Sequence, residues 1–161
     1  MKLDDQLLLE KAIKDKQEIK KATLKLKSVK RLDDVFKEAH EAEFKNRDCL
    51  NCANCCKTTS PIFRDTDVKR IAKHLRLKES QFIDNYLRMD EDSDLVLKTS
   101  PCAFLEEDNT CSIYEFRPLA CREYPHTNRK NMYQILELTA ANTQICPAVA
   151  AIVDKLCSLS K

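Results

Sequence analysis

Within residues 1–47 the apolar positions Ile19, Ala22, Leu26, Val29, Leu32, Phe36 and Ala39 recur in steps of three and four. That spacing lays one apolar stripe along an amphipathic helix. Asp33 and Asp34 lie where a second helix could be capped. A single helix of this length, rising about 1.5 Å per residue, would project far beyond a small body. The pattern therefore predicts a helical hairpin, or a helix packed on a partner. The same period returns at Val68, Ile71, Ala72 and Leu75, behind Asp65 or Thr66 as a cap. Phe82, Ile83, Tyr86 and Leu87 mark a second short helix from Ser80. Pro147 suits the first position of a last helix, striped by Val149, Ile152, Val153 and Leu156.

Strand signals are weaker. Residues 88–93 are charged and loop-like, and Leu95-Val96-Leu97 permits a short strand. Residues 103–105 and 111–114 flank an acidic stretch, 106–110, and predict a small β-hairpin whose turn places Asn109 at positive φ. Residues 115–121 read as a short helix or turn, and 132–138 fit strand and helix equally. The fold class expected is mainly α with a small β-hairpin, a small α+β chain. Its domains are an N-terminal helical region over 1–47 and a cysteine-rich domain over 48–161.

Composition narrows the chemistry. The 161 residues include no glycine and nine cysteines. Without glycine the chain has no Gly-rich phosphate loop, no dinucleotide fingerprint and no GxSxG nucleophile elbow. An odd cysteine count argues against a closed disulfide framework. The opening apolar run, Leu7-Leu8-Leu9, is too short for a signal-peptide core, and no stretch reaches the ~20 apolar residues of a membrane span. These features predict a cytoplasmic protein with reduced thiols and no membrane partner. The net charge, 28 basic against 26 acidic residues or +2, names no partner. Lysines concentrate between Lys11 and Arg31, but no interleaved aromatics accompany them. A solvated helix face is the expectation there, ahead of a nucleic-acid site.

The cysteines carry the strongest signal. Cys49, Cys52, Cys55 and Cys56 form C-x2-C-x2-C-C, followed by Cys102, Cys111, Cys121 and Cys146. Four cysteines in eight residues are hard to explain by packing. A C-x2-C turn can aim two thiolates at one metal ion, and successive x2 spacings are similar to the wrap around an iron–sulfur cubane. Adjacent side chains diverge, so Cys55 and Cys56 point to two centres, a bridged site, or one ligand beside a supporting thiol. We expect Cys49, Cys52, Cys55, Cys56, Cys102, Cys111, Cys121 and Cys146 to supply the metal ligands, with an iron–sulfur cluster slightly favoured over Zn2+. Arg117 and Arg122 could offset the thiolate charge. Cys157 falls on the apolar stripe of the last helix and is expected in the core. His126, five residues after Cys121, reads as a loop residue ahead of a ligand. His74 and His40 read as ordinary helix residues.

The string from Cys49 to Cys56, with Pro101-Cys102-Ala103-Phe104-Leu105 and Cys111-Ser-Ile-Tyr114-Glu-Phe-Arg117-Pro118-Leu-Ala-Cys121-Arg122-Glu-Tyr124-Pro125, resembles the YkgJ-type cysteine-cluster family with its CxxCxxCC signature. The match covers about residues 49–148. The resemblance implies zinc or iron chelation by the shared cysteines and a metal-organised core. The family often has glycine after the second signature cysteine, where this chain has Ala53. The expected role is a structural or redox metal module, working through a protein partner or self-association on the N-terminal helix. The alternative is a metal-dependent enzyme, a methyltransferase or redox catalyst, by analogy with a related motif in flagellin lysine methylases.

Overall fold

Asp4 and Asp5 stand in the first turn of helix α1 (Leu3–Lys14), and Lys11 and Lys14 in its last. Each charge thus faces the helix end whose dipole it complements. A break at Asp15 separates α1 from α2 (Lys16–Lys25), and a 3-10 turn over Leu26–Ser28 leads toward α3 (Leu32–Phe44). The expected interruption falls just before Leu32. There Arg31 adopts a left-handed conformation, with φ 54°. The computed structural model describes residues 1–159.

The chain divides into two compact units, one formed by Met1–Cys52 with the residues from Pro125 onward, the other by Ala53–Tyr124. The first unit adds α8 (Leu136–Asn142) and α9 (Pro147–Leu159) to the three N-terminal helices. Residues 132–138, undecided from sequence, resolve into a 3-10 turn at Met132–Gln134 and the start of α8. The apolar stripe of α3 packs on the chain's own later helices. Leu26, Leu32, Phe36, Ala39, Met132, Leu136, Ile152 and Leu156 make one buried core, and Cys157 packs against it as expected. The Asp33 carboxylate accepts hydrogen bonds from the backbone N–H groups of Asn131 (2.8 Å) and Met132 (2.9 Å). Asp5, itself buried, pairs with Arg47, which also reaches Glu43 at 2.7 Å.

The second unit runs through α4 (Asn54–Thr58), α5 (Asp65–His74), α6 (Glu79–Tyr86), strands β1 (Leu87–Met89) and β2 (Leu95–Leu97), and α7 (Leu119–Glu123). Its core gathers Phe63, Val68, Ile71, Ala72, Phe82, Leu87, Leu97, Phe104 and Ile113. Phe82 is fully buried, with ring centroids of Tyr86 at 5.4 Å and Phe63 at 6.1 Å.

The β-hairpin exists, but not where the sequence placed it. β1 and β2 pair antiparallel in the register Leu87–Leu97, Arg88–Val96 and Met89–Leu95. The segments at 103–105 and 111–114 meet in the isolated bridge Leu105–Cys111 and in the Ser112 N–H that donates to the Phe104 carbonyl (2.9 Å), without becoming strands. The cause is local. Asp90 accepts from the N–H groups of Asp92 and Asp94 and closes the turn between β1 and β2. Beyond Leu105 and Cys111 the backbone is committed to turns around the two cysteines. Asn109 does take the positive φ expected of it, 67°.

Candidate metal centre

Each cysteine is held by a tight local turn. In the first unit the Cys52 N–H donates to the Cys49 carbonyl (3.0 Å), and Asp48 caps the turn by accepting from the Leu50 N–H. Cys146 occupies the position before Pro147 at the start of α9, and its N–H donates to the Asn142 carbonyl at 2.8 Å. In the second unit Cys55 and Cys56 lie on α4, with their sulfurs 4.0 Å apart. Ala53, immediately before α4, adopts φ 50° and ψ 18°. This is the position where the family often carries glycine, so alanine takes the left-handed conformation itself and Asn54 stays helical. The N–H of Cys102 donates to the Cys56 carbonyl (2.8 Å), which ties the second cysteine segment to the signature.

One arrangement recurs at three cysteines. Backbone amides two or three residues downstream point at the sulfur: Phe104 and Leu105 at Cys102, Ile113 at Cys111, and Ala148 and Val149 at Cys146. Each such amide favours the thiolate over the thiol. At Cys146 the two donors belong to the free N-terminal amides of a helix. Burial opposes them and prevails. It pushes the Cys121 thiol up to about 12 and the Cys146 thiol up to about 11, with neighbouring thiolates adding to the rise. Cys102 and Cys111 are raised for the same first cause. Cys56 goes the other way, to about 7, chiefly through its contact with Cys55 and then through Lys57. Arg117 lies over the Tyr114 ring at 3.7 Å and favours the thiolates of Cys111 and Cys121, the part expected of it. Arg122 is exposed.

Within each unit the thiols influence one another electrostatically. Cys49 and Cys52 act on Cys146 in the first. Cys56 acts on Cys102, Cys111 and Cys121 in the second. No disulfide joins any of the nine. Among the described residues, no three His, Cys, Asp or Glu side chains are already closed to the distances that hold an ion. The donor chemistry nevertheless suits a soft or borderline metal. The 4.0 Å between Cys55 and Cys56 is near the ~3.8 Å sulfur–sulfur edge of a tetrahedral zinc site with ~2.3 Å bonds.

Two residues that position this chemistry were not apparent from sequence. Asp67 on α5 is buried; it accepts from Arg70 Nη2 (2.6 Å) and from the N–H of Leu119 at the start of α7 (3.2 Å). Arg70 in turn donates to the carbonyls of Phe116 (3.3 Å) and Arg117 (3.0 Å). The pair thus fastens the segment between Cys111 and Cys121 to α5. An i, i+3 Asp–Arg pair on an otherwise apolar face was the available signal. His126 sits in the first unit with φ 65°; its neighbour Thr127 is fully buried and lies 2.8 Å from His40 Nδ1. His74 stacks on Phe116, ring centroids 4.0 Å apart.

A small, mainly helical chain with clustered thiols, held by local turns and aimed amides, has the build of a cysteine-based metal-chelating protein. The comparison with protein families agrees: residues 48–147 match the CxxCxxCC family, described as a putative zinc- or iron-chelating domain. The chain belongs to this family. No curated protein and no solved structure matches it.

Proposed function

We propose that the chain is a thiolate metal module, structural or redox, with Cys49, Cys52, Cys55, Cys56, Cys102, Cys111, Cys121 and Cys146 as its ligands. The observation that carries this reading is the repeated aim of backbone amides at cysteine sulfurs, at Cys102, Cys111 and Cys146. Apolar packing has no use for donors so placed, whereas a metal-bound thiolate gains from each. A bound metal supplies the charge that keeps these sulfurs deprotonated against their burial. The residues do the rest: Arg117 offsets thiolate charge, and Asp67 with Arg70 fixes the backbone between two of the ligands.

The x2 spacings favour an iron–sulfur cluster slightly; four-thiolate zinc suits the same donors. Anaerobic purification followed by elemental analysis and an absorption spectrum tests both levels. Iron with acid-labile sulfide and visible absorption is the expected result. Colourless protein with stoichiometric zinc and no sulfide removes the cluster and keeps the module. Protein that binds neither metal overturns the reading.

Under this reading the thiols stay reduced, which supports a cytoplasmic location. No described helix is long and apolar enough to cross a membrane. Leu3, Leu7 and Ile13 remain exposed on α1, and they support a protein partner or a second copy there. Sedimentation at several concentrations tests self-association.

A further inference from the structure

Charge is unevenly distributed in the first compact unit. Residues 11–31 hold nine basic side chains against two acidic ones, Asp15 and Glu18, in a chain whose net charge is only +2. Some are neutralised locally: Lys11 pairs with Asp154 at 2.8 Å, Lys20 with Glu137 at 3.6 Å and Arg31 with Asp34 at 2.8 Å. Lys25 and Lys27 form no ion pair among the described residues. With Leu24, Ser28, Val29 and Leu159 they line an open groove where the 3-10 turn after α2 meets the end of α9. Leu24 is 37% exposed and Leu159 75%. Apolar side chains and two unpaired cations thus lie side by side on this surface.

The second unit carries the complement. The turn between β1 and β2 holds four carboxylates within residues 90–94, those of Asp90, Glu91, Asp92 and Asp94. Asp90 is engaged by the turn itself, accepting from the N–H groups of Asp92 and Asp94. Glu91 and Asp92 are exposed and form no ion pair among the described residues. Met89, the last residue of β1, is 62% exposed beside them. A methionine side chain is flexible and polarisable and adapts to irregular apolar surface. The turn therefore offers one apolar side chain and two available carboxylates, matching the groove's apolar side chains and two available lysines. A nucleic acid would engage the lysines through its phosphates and leave Leu24, Val29 and Leu159 unmatched. A chain of small net charge also carries little long-range repulsion against a copy of itself.

We infer that the groove at Leu24, Lys25, Lys27, Val29 and Leu159 is an interaction surface for a second copy of the chain, and that it receives the Met89–Asp94 turn of that copy. Lys25 and Lys27 meet the carboxylates of Glu91 and Asp92 across the contact, and Met89 covers the apolar side chains. Apolar burial supplies attraction, and the charges select which surfaces meet. Ion pairs so exposed are screened by salt, so the association weakens as ionic strength rises. This surface is separate from the exposed Leu3, Leu7 and Ile13 of α1, and the inference does not depend on the chelating function.

The test is sedimentation velocity of the full chain, prepared anaerobically under reducing conditions, over a range of concentrations at low and high salt. The unaltered protein is expected to gain mass with concentration at low salt and to lose much of that gain at high salt. Lys25→Glu with Lys27→Glu should weaken the association at least about tenfold, because like charges then face each other. Glu91→Lys with Asp92→Lys should do the same from the other side. An equimolar mixture of the two variants should associate again, since each copy keeps one intact half of the contact. All four positions are exposed, and circular dichroism checks that both variants are folded. A chain that is monomeric at every concentration overturns the inference, and so does a mixture of folded variants that stays monomeric. Association removed by Leu7→Lys but not by the charge reversals also overturns it and assigns the contact to α1. A monomeric chain that binds phosphatidylserine vesicles or a DNA duplex, and loses this in Lys25→Glu with Lys27→Glu, overturns it in favour of that anion.

Discussion

A chain without glycine must make its tight turns with side chains that resist them. Arg31, Ala53, Arg76, Ser93, Asn109, His126 and Asn131 all take positive φ. Asparagine tolerates this through local hydrogen bonding, and alanine has no such help. The left-handed conformation costs an L-residue about 1–2 kcal/mol, while glycine removes that cost and raises the entropy of the unfolded chain. Ala53→Gly should therefore stabilise the protein by a net of roughly 0.5 kcal/mol. Urea unfolding would show a higher midpoint at unchanged slope; a lower midpoint would contradict the assignment of strain.

Another single-residue effect lies at His40. Burial lowers its pKa below the ordinary histidine value, against the pull of Glu41. The folded state thus prefers neutral imidazole, and the unfolded chain binds the proton first as pH falls. Stability is full above the unfolded value of about 6.5 and declines as the pH drops from there toward the folded value. His40→Gln should flatten that decline, measured as urea midpoints between about pH 7.5 and about pH 5. An unchanged slope in the variant would assign the decline to other groups.

At the scale of elements, helices were legible because their periods are internal to the segment. Val68, Ile71 and Ala72 on α5, Phe82 on α6, and Val149, Ile152 and Val153 on α9 are all buried, as their spacing predicts. The hairpin was misplaced because strand pairing depends on which turn closes. Three-residue strands such as β1 carry too little alternation to announce themselves. The cysteines were legible as a cluster, but the backbone tie between Cys56 and Cys102 was not. Spacing does not tell which of Cys55 and Cys56 faces Cys102. The Asp67–Arg70 pair was hidden for a related reason: its acceptors and donors lie near residues 116–119, far along the chain. Removing the carboxylate by Asp67→Ala leaves the amides of Arg64 and Leu119 without their acceptor and should cost about 2 kcal/mol. Chemical denaturation would measure it. A loss below about 0.5 kcal/mol would show that the clamp is dispensable.

For the whole molecule, the proposed metal would act together with apolar packing. Both units have ordinary cores, so truncating a fully buried ring in either, Phe36→Ala or Phe82→Ala, should cost about 3–5 kcal/mol. Under the proposed chelating function, thiolate coordination adds links between segments as distant as Cys56 and Cys121. Stripping metal with a chelator under reducing conditions should therefore lower the melting temperature markedly. An unshifted melting curve for fully metal-free protein would show that the metal is not coupled to folding.

The first unit is assembled from two stretches of chain separated by the whole of the second. During synthesis this imposes an order. The Ala53–Tyr124 unit is complete in sequence before the stretch from Pro125 onward is made, and domains fold as units in the order they emerge. The core of the first unit must wait for Met132, Leu136, Ile152 and Leu156, which close it against Phe36 of α3.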